Sequence, residues 1–251
     1  MKRKCEMNFL RGIICLLLFF IGSERIVFAD NGTFNGMRGK MLEEQIIARG
    51  ITDKNVLGAM SSVKRHLFVP EDLINEAYGD YPLPIGYGQT ISQPYIVAYM
   101  TEQIQPKEGL RVLEIGTGCG YQAAVLGRIV KDVYSIEILE PLADSARERL
   151  EKLGYNNVHV KCGDGYKGWV EHAPFDAIII TAAPPELPGK LVGQLKVGGK
   201  MIVPVGILRQ ELNLIERTPI GINKKTLLPV RFVPMVHSKQ DGEEPNPDTT
   251  S

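Results

Sequence analysis

Downstream of Leu110, short apolar runs alternate with amphipathic stretches of helical period. The runs at 111–115, 133–136, 158–161, 175–181 and 200–205 read as strands. The segments at 121–129, 141–153 and 189–196 read as helices, the second closed by Gly154. Ala177-Ile178-Ile179-Ile180 is apolar without alternation, which predicts a strand covered on both faces. Residues 211–216 and 230–233 predict a closing strand pair. Five strands alternating with helices predict an α/β fold: a Rossmann-like, doubly wound, mostly parallel sheet.

Residues 36–107 carry a helical rhythm instead. Met41, Leu42, Ile46 and Ile47 form one apolar face, ended by Gly50. Val56, Leu57, Met60 and Val63 form another, opened by Asp53. Pro82-Leu83-Pro84-Ile85-Gly86-Tyr87-Gly88 is too rich in proline and glycine for a regular element and predicts an ordered loop. Pro94 then opens a helix whose apolar face is Ile96, Val97, Met100 and Ile104. The plan is a helical lead-in at 36–107 with a loop at 82–94, a sheet domain at 108–238, and a disordered polar tail at 239–251.

Composition narrows the function. At 251 residues, 44% hydrophobic and 23% charged, the chain has apolar material for one large core. It contains no internal repeat and no metal-type Cys/His cluster. A formal net charge of zero offers no electrostatic footprint for nucleic acid.

The first 29 residues stand apart. Lys2, Arg3, Lys4 and Arg11 precede an uninterrupted apolar run at 12–22, and Val27-Phe28-Ala29 supplies a cleavage-type pattern before Asp30. That is the layout of a secretory signal, and the run is short for a membrane span. The alternative is a start site misassigned upstream of Met37 or Met41. This segment holds five of the 29 basic and two of the 29 acidic residues, leaving 24 against 27 beyond it. Only Cys119 and Cys162 of the four cysteines remain there, a usage that fits a cytosolic enzyme better than a disulfide scaffold.

In a doubly wound sheet, ligands sit beyond the carboxyl ends of the strands. Three features fall at consecutive strand ends. Glu114-Ile115-Gly116-Thr117-Gly118-Cys119-Gly120 follows the first strand, where glycines permit a tight turn and close ligand approach at a helix N-terminus. Glu137, 21 residues beyond Gly116, ends the second, where a carboxylate can accept from two ribose hydroxyls. Gly163-Asp164 follows the third, with a carboxylate available to an adenine amino group.

A dinucleotide site wants glycine where Tyr121 stands. This loop is instead G-x-G-x-G, with an acid two residues before it. S-adenosyl-L-methionine (AdoMet) has no pyrophosphate and carries an ammonium group that Glu114 or loop carbonyls can accept. AdoMet is therefore the expected cosubstrate, with no metal.

The same segments carry a resemblance. Val112-Leu113-Glu114-Ile115-Gly116-Thr117-Gly118, followed by Gly120-Tyr121-Gln122-Ala123-Ala124-Val125-Leu126, resembles the first motif of bacterial protein-L-isoaspartate O-methyltransferases. So do Pro82-Leu83-Pro84-Ile85-Gly86 with Gly88-Gln89-Thr90-Ile91-Ser92-Gln93-Pro94, and Gly163-Asp164-Gly165-Tyr166 with Gly168-Trp169. Ala173-Pro174-Phe175-Asp176-Ala177-Ile178-Ile179 with Thr181-Ala182-Ala183, and Val230-Arg231-Phe232-Val233-Pro234-Met235, are similar as well. The likeness spans roughly residues 37–236, and 82–94 is its most discriminating part. It departs at Cys119, where relatives usually carry serine, and at residues 1–36, which the family normally lacks.

The resemblance implies a class I AdoMet-dependent methyltransferase that esterifies the free α-carboxylate of L-isoaspartyl residues in damaged proteins. The ester collapses to a succinimide, whose hydrolysis returns some normal aspartate. It implies an active-site role for Ser92 and a cofactor lid of Thr90, Ile91, Gln93 and Pro94. Glu114, Gly116, Thr117, Gly118, Gly120, Glu137, Gly163 and Asp164 complete the expected AdoMet site.

Such a reaction needs few protein groups. A carboxylate is ionised at neutral pH, so no general base is required, and positioning and water exclusion carry the rate. Ser92 precedes the helix opened by Pro94, where an anion is favoured; a plain helix cap is the other reading of that position. His66, His159, His172 and His237 are expected at the surface or in packing, and Trp169 either in packing or in stacking. Val233 and its neighbours are expected to pair with an extended substrate peptide.

Two alternatives stand beside this reading: methyl transfer to another small-molecule or macromolecular acceptor, and a cofactor-binding module without catalysis. An NAD-linked oxidoreductase is less favoured because of Tyr121. The expected partners are isoaspartyl proteins and peptides, with no nucleic acid or stable membrane partner, and the expected state is a monomer. The family and cofactor supply argue for the cytoplasm, whereas residues 1–29 argue for export to the periplasm.

Overall fold

The computed structural model describes residues 32–238; the signal-like segment 1–29 and the tail 239–251 fall outside the described residues. Helix α1 (Gly32–Lys40) runs through a π turn (Met41–Ile46) and a 3-10 turn (Ile47–Arg49) and stops at Gly50, as expected. Helix α2 (Lys54–Ser62) begins at Asp53, whose carboxylate accepts the N–H groups of Asn55 and Val56. That contact satisfies donors the helix cannot pair internally.

The segment expected as an irregular loop is an antiparallel hairpin. Strands β1 (Leu83–Gly86) and β2 (Gln89–Ile91) pair around a tight Tyr87-Gly88 turn. Pro84 is tolerated because a two-stranded ribbon has no central strand. Helix α3 (Pro94–Gln103) follows, with Pro94 in its first turn and Val97, Met100 and the adjoining Ile104 buried.

The main sheet is made of β3 (Arg111–Ile115), β4 (Asp132–Glu137), β5 (Val158–Cys162), β6 (Phe175–Ile180), β7 (Leu195–Val205), β8 (Gln210–Thr218) and β9 (Gly221–Val230). Their order is β5-β4-β3-β6-β7-β8-β9. The first five in sequence are parallel, and β8 and β9 are antiparallel additions. Helices α4 (Tyr121–Gly127), α5 (Glu140–Lys152) and α6 (Gly189–Gly193) supply crossovers. The doubly wound, mostly parallel sheet is the one the sequence predicts.

The closing strand is a correction: it is β9, and residues 231–233 lie beyond it. Residues 221–226 are exposed on the sheet edge and include Lys224 and Lys225, so β9 lacks the apolar alternation that marks a strand. Lysines on an edge discourage pairing with other chains.

Alternation sorts the strands between two cores. Val112, Val133, Ala177, Ile179 and Ile202 join the lead-in and α4, while Leu113, Ile115, Ile178, Ile180, Met201 and Val203 join Leu191 of α6. The chain winds outward from β3 to β5 and returns at β6. The switch point therefore lies between the carboxyl ends of β3 and β6, where ligands bind in such sheets. Among the described residues, no helix is long and apolar enough to cross a membrane.

Candidate active site

At the switch point the Thr181 N–H donates to Ile115 O at 2.9 Å, and its hydroxyl lies 2.7 Å from Gly116 O. Gly116 has φ +96°, and a Cβ there would stand 2.4 Å from the Thr181 hydroxyl oxygen. Backbone angle and space both require glycine. Gly120 is left-handed at φ +88° and opens α4, where a Cβ would come within 3.1 Å of Leu150 on α5. Between them, Gly118 N–H donates to Glu137 Oε2 at 2.8 Å.

Glu137 also accepts Leu139 N–H on Oε1 at 3.1 Å, so both its oxygens are oriented by backbone. It is buried yet lines a cavity with Gly116, Gly118, Ile136, Leu139 and Gly165. Each carboxylate oxygen has two lone pairs, which leaves acceptor capacity for a ligand's hydroxyls.

Glu114 sits beneath the loop with no solvent exposure. Ser135 donates to its Oε2, Thr117 Oγ1 lies 2.6 Å from Ser135 Oγ, and Oε1 has no hydrogen-bond partner among the described residues. Burial pushes this carboxyl up to about 8, against the hydrogen bond from Ser135 and with help from the nearby Glu137 charge. The glycine backbone and the Glu137 carboxylate form the cavity wall and fit AdoMet, whereas Glu114 lies beneath the loop and lines none of that cavity.

The third strand-end acid is placed differently. Asp164 Oδ1 accepts Tyr166 N–H at 2.9 Å, and Oδ2 lies 3.2 Å from His237 Nδ1. His237 also stacks on Tyr166, with ring centroids 4.0 Å apart, so it is drawn to the edge of the site. His66 is held by the Tyr78 hydroxyl and His172 stacks on Tyr134, as packing residues. Gly163 N–H donates to Glu137 O, while the neighbouring Gly165 forms cavity wall. Trp169 packs edge-on against Tyr134, which supports its packing reading.

Two further spaces adjoin this cavity. One is a cleft that includes Pro82, Ser92, Gln93, Ile96, Arg231 and Phe232; the other is a narrow recess joining Ile91 and Ser92 to Gly116, Thr117 and Gly118. Thr90 and Thr181 line all three spaces, and Ser92 lines the latter two. Gln93 donates to Asp80 Oδ1 at 2.8 Å and borders the cleft rather than the first cavity.

Ser92 does not cap α3: the N-cap is Gln93, whose side chain makes no cap bond. Thr181 was not among the expected site residues. A threonine after an apolar strand has no distinctive spacing; its signals are its place at a strand end and the family-like segment Thr181-Ala182-Ala183. Val233 O accepts Ala183 N–H, and Met235 N–H donates to Ala183 O, so this segment already pairs along one edge.

A doubly wound sheet with a G-x-G-x-G loop at its switch point, Tyr121 where a dinucleotide site wants glycine, and an acid closing the next strand defines a class I AdoMet-dependent methyltransferase. Sequence comparison gives the family. The profile described as protein-L-isoaspartate(D-aspartate) O-methyltransferase (PCMT) matches residues 37–240. A Picosynechococcus protein named protein-L-isoaspartate O-methyltransferase is 54% identical over 199 residues, covering 79% of this chain and 90% of its own. A Syntrophobacter fumaroxidans protein named protein-L-isoaspartate O-methyltransferase 2 is 47% identical over 247 residues, covering 94% and 98%.

A Plasmodium falciparum structure, described as a candidate protein-L-isoaspartate O-methyltransferase with S-adenosyl-L-homocysteine, aligns with a TM-score of 0.70. It is 28% identical and covers 79% of this chain and 98% of that one. The chain belongs to the protein-L-isoaspartate (D-aspartate) O-methyltransferase family, and AdoMet is its cosubstrate.

Proposed function

We propose that the family's reaction, methyl transfer from AdoMet to the free α-carboxylate of an L-isoaspartyl residue, runs here with Ser92 holding that carboxylate. One observation carries this reading. Ser92 borders both the cleft walled by Arg231 and Phe232 and the recess that reaches Gly116 and Thr117. A residue in both stands where acceptor and cosubstrate meet.

The acceptor carboxylate is itself the nucleophile, ionised at neutral pH, so no side chain has to take a proton. Ser92 Oγ donates to one of its oxygens and leaves the other free to react. Ile96 and Phe232 in the cleft wall displace water from the anion, which makes it more reactive. Glu137 would accept the ribose hydroxyls, and carbonyl groups of the glycine loop would accept the ammonium. Bound AdoMet supplies an electrophilic methyl group on a sulfonium. The backbone amide nitrogen next to the ester then attacks its carbonyl and expels methanol, giving the succinimide without further help from the chain.

Ser92→Ala should lower kcat about tenfold or more while the AdoMet dissociation constant stays within about twofold. Parallel losses in both would contradict the assignment.

The working state is a monomer in the cytoplasm, where AdoMet is made, and a balanced charge supports the lack of a nucleic-acid partner. N-terminal sequencing of native protein that found Asp30 first would move the enzyme outside.

A further inference from the structure

Strands β8 and β9 end their pairing at Gln210 and Val230. Two residues further in that register, Leu208 would face Phe232. The chain turns away instead: Gly206 N–H donates to Pro184 O at 3.0 Å, and Leu208 is 99% exposed. Phe232 therefore leaves the sheet without a backbone partner from β8. The Gln210 side chain supplies one. Its Nε2 donates to Phe232 O at 3.0 Å, and its Oε1 accepts Phe232 N–H at 2.6 Å.

A primary amide carries the donor and acceptor of a peptide group, so this pair reproduces a strand–strand contact beyond the end of the strand. On the other edge, Ala183 bonds Val233 O and Met235 N–H at 2.8 and 2.9 Å. The strip 231–235 is thus fixed from two sides, and its first three residues line the cleft that also holds Ser92.

We propose that Gln210 is a positioning residue for the acceptor peptide. By fixing the Phe232 backbone it sets the strip 231–233 against which the isoaspartyl-bearing chain lies. This rests on the reading of that cleft as the acceptor site. Gln210 acts through Phe232 and lines none of the three spaces described. Ala183 continues to tie Val233 and Met235, which border the AdoMet cavity, when the amide is lost.

Two variants of the full-length enzyme test this. Gln210→Met keeps the length and removes both hydrogen bonds; Gln210→Glu keeps an acceptor but sets a carboxylate against the Phe232 carbonyl. Each should raise the KM for an isoaspartyl peptide about tenfold, with kcat and the AdoMet dissociation constant within about twofold. A protonated glutamate again offers one donor and one acceptor. The KM of Gln210→Glu relative to wild type should therefore fall as pH drops from about 7.5 to about 4.3, where about half of the glutamate is protonated, while that of Gln210→Met stays level.

An unchanged KM in Gln210→Met, equal losses in peptide and AdoMet binding, or a pH-independent ratio for Gln210→Glu would overturn the proposal. Wild-type enzyme unable to tell isoaspartyl from aspartyl peptide would remove the acceptor assignment itself, a separate failure read before any variant.

Discussion

Gly118 and Glu137 are joined by a 2.8 Å hydrogen bond, so the carboxylate that borders the cofactor cavity also fixes the middle of the glycine loop. Loop shape and ligand chemistry thus depend on one side chain. Glu137→Gln keeps an acceptor but loses the charge and half the acceptor capacity. Charged hydrogen bonds contribute about 1.5–3 kcal/mol each, so the AdoMet dissociation constant should rise roughly 10- to 100-fold. Peptide KM at saturating AdoMet should stay within about twofold. Titration calorimetry and steady-state kinetics check the two halves.

Gly116 and Thr181 make a second test. Gly116→Ala meets both a strained backbone angle and the Thr181 hydroxyl at 2.4 Å. The combined cost should be about 1–3 kcal/mol, seen as a lowered Tm. Adding Thr181→Ala removes the contact and leaves the strain, so the double variant should recover only part of the loss. Full recovery would show that contact alone demands glycine there.

How much of this was legible in the sequence varies by element. Ala177 to Ile180 announced a strand buried on both faces because nothing polar interrupts it. Gly116, Gly118, Glu137 and the Asp53 cap were legible because each chemistry has a fixed spacing. The hairpin at 83–91 was hidden by its own proline and glycine, which read as punctuation. Strand β9 was hidden by its exposed lysines, since an edge strand need not alternate. Thr181 and Gln210 act on backbone groups distant in sequence, and such contacts leave no period to read.

Glu114 predicts a pH dependence. Its carboxyl is pushed up to about 8 by burial, above the ordinary value of 4.5, so the folded chain holds a proton that the unfolded chain has released. The folded state then binds more protons, and stability falls as pH rises from 4.5 to about 8, with no further loss from this group above that. Glu114→Gln keeps a neutral polar group and lacks the dependence. Its Tm relative to wild type should climb in its favour between about pH 5 and about pH 8. A constant offset across that range, measured by scanning fluorimetry without AdoMet, would contradict the assignment.

The acceptor is tested most directly with labelled AdoMet, full-length enzyme, and two peptides that differ only in an isoaspartyl or a normal aspartyl linkage. Base-labile methyl ester on the isoaspartyl peptide alone is the expected result. Equal labelling of the twins, or none on the isoaspartyl one, would contradict it.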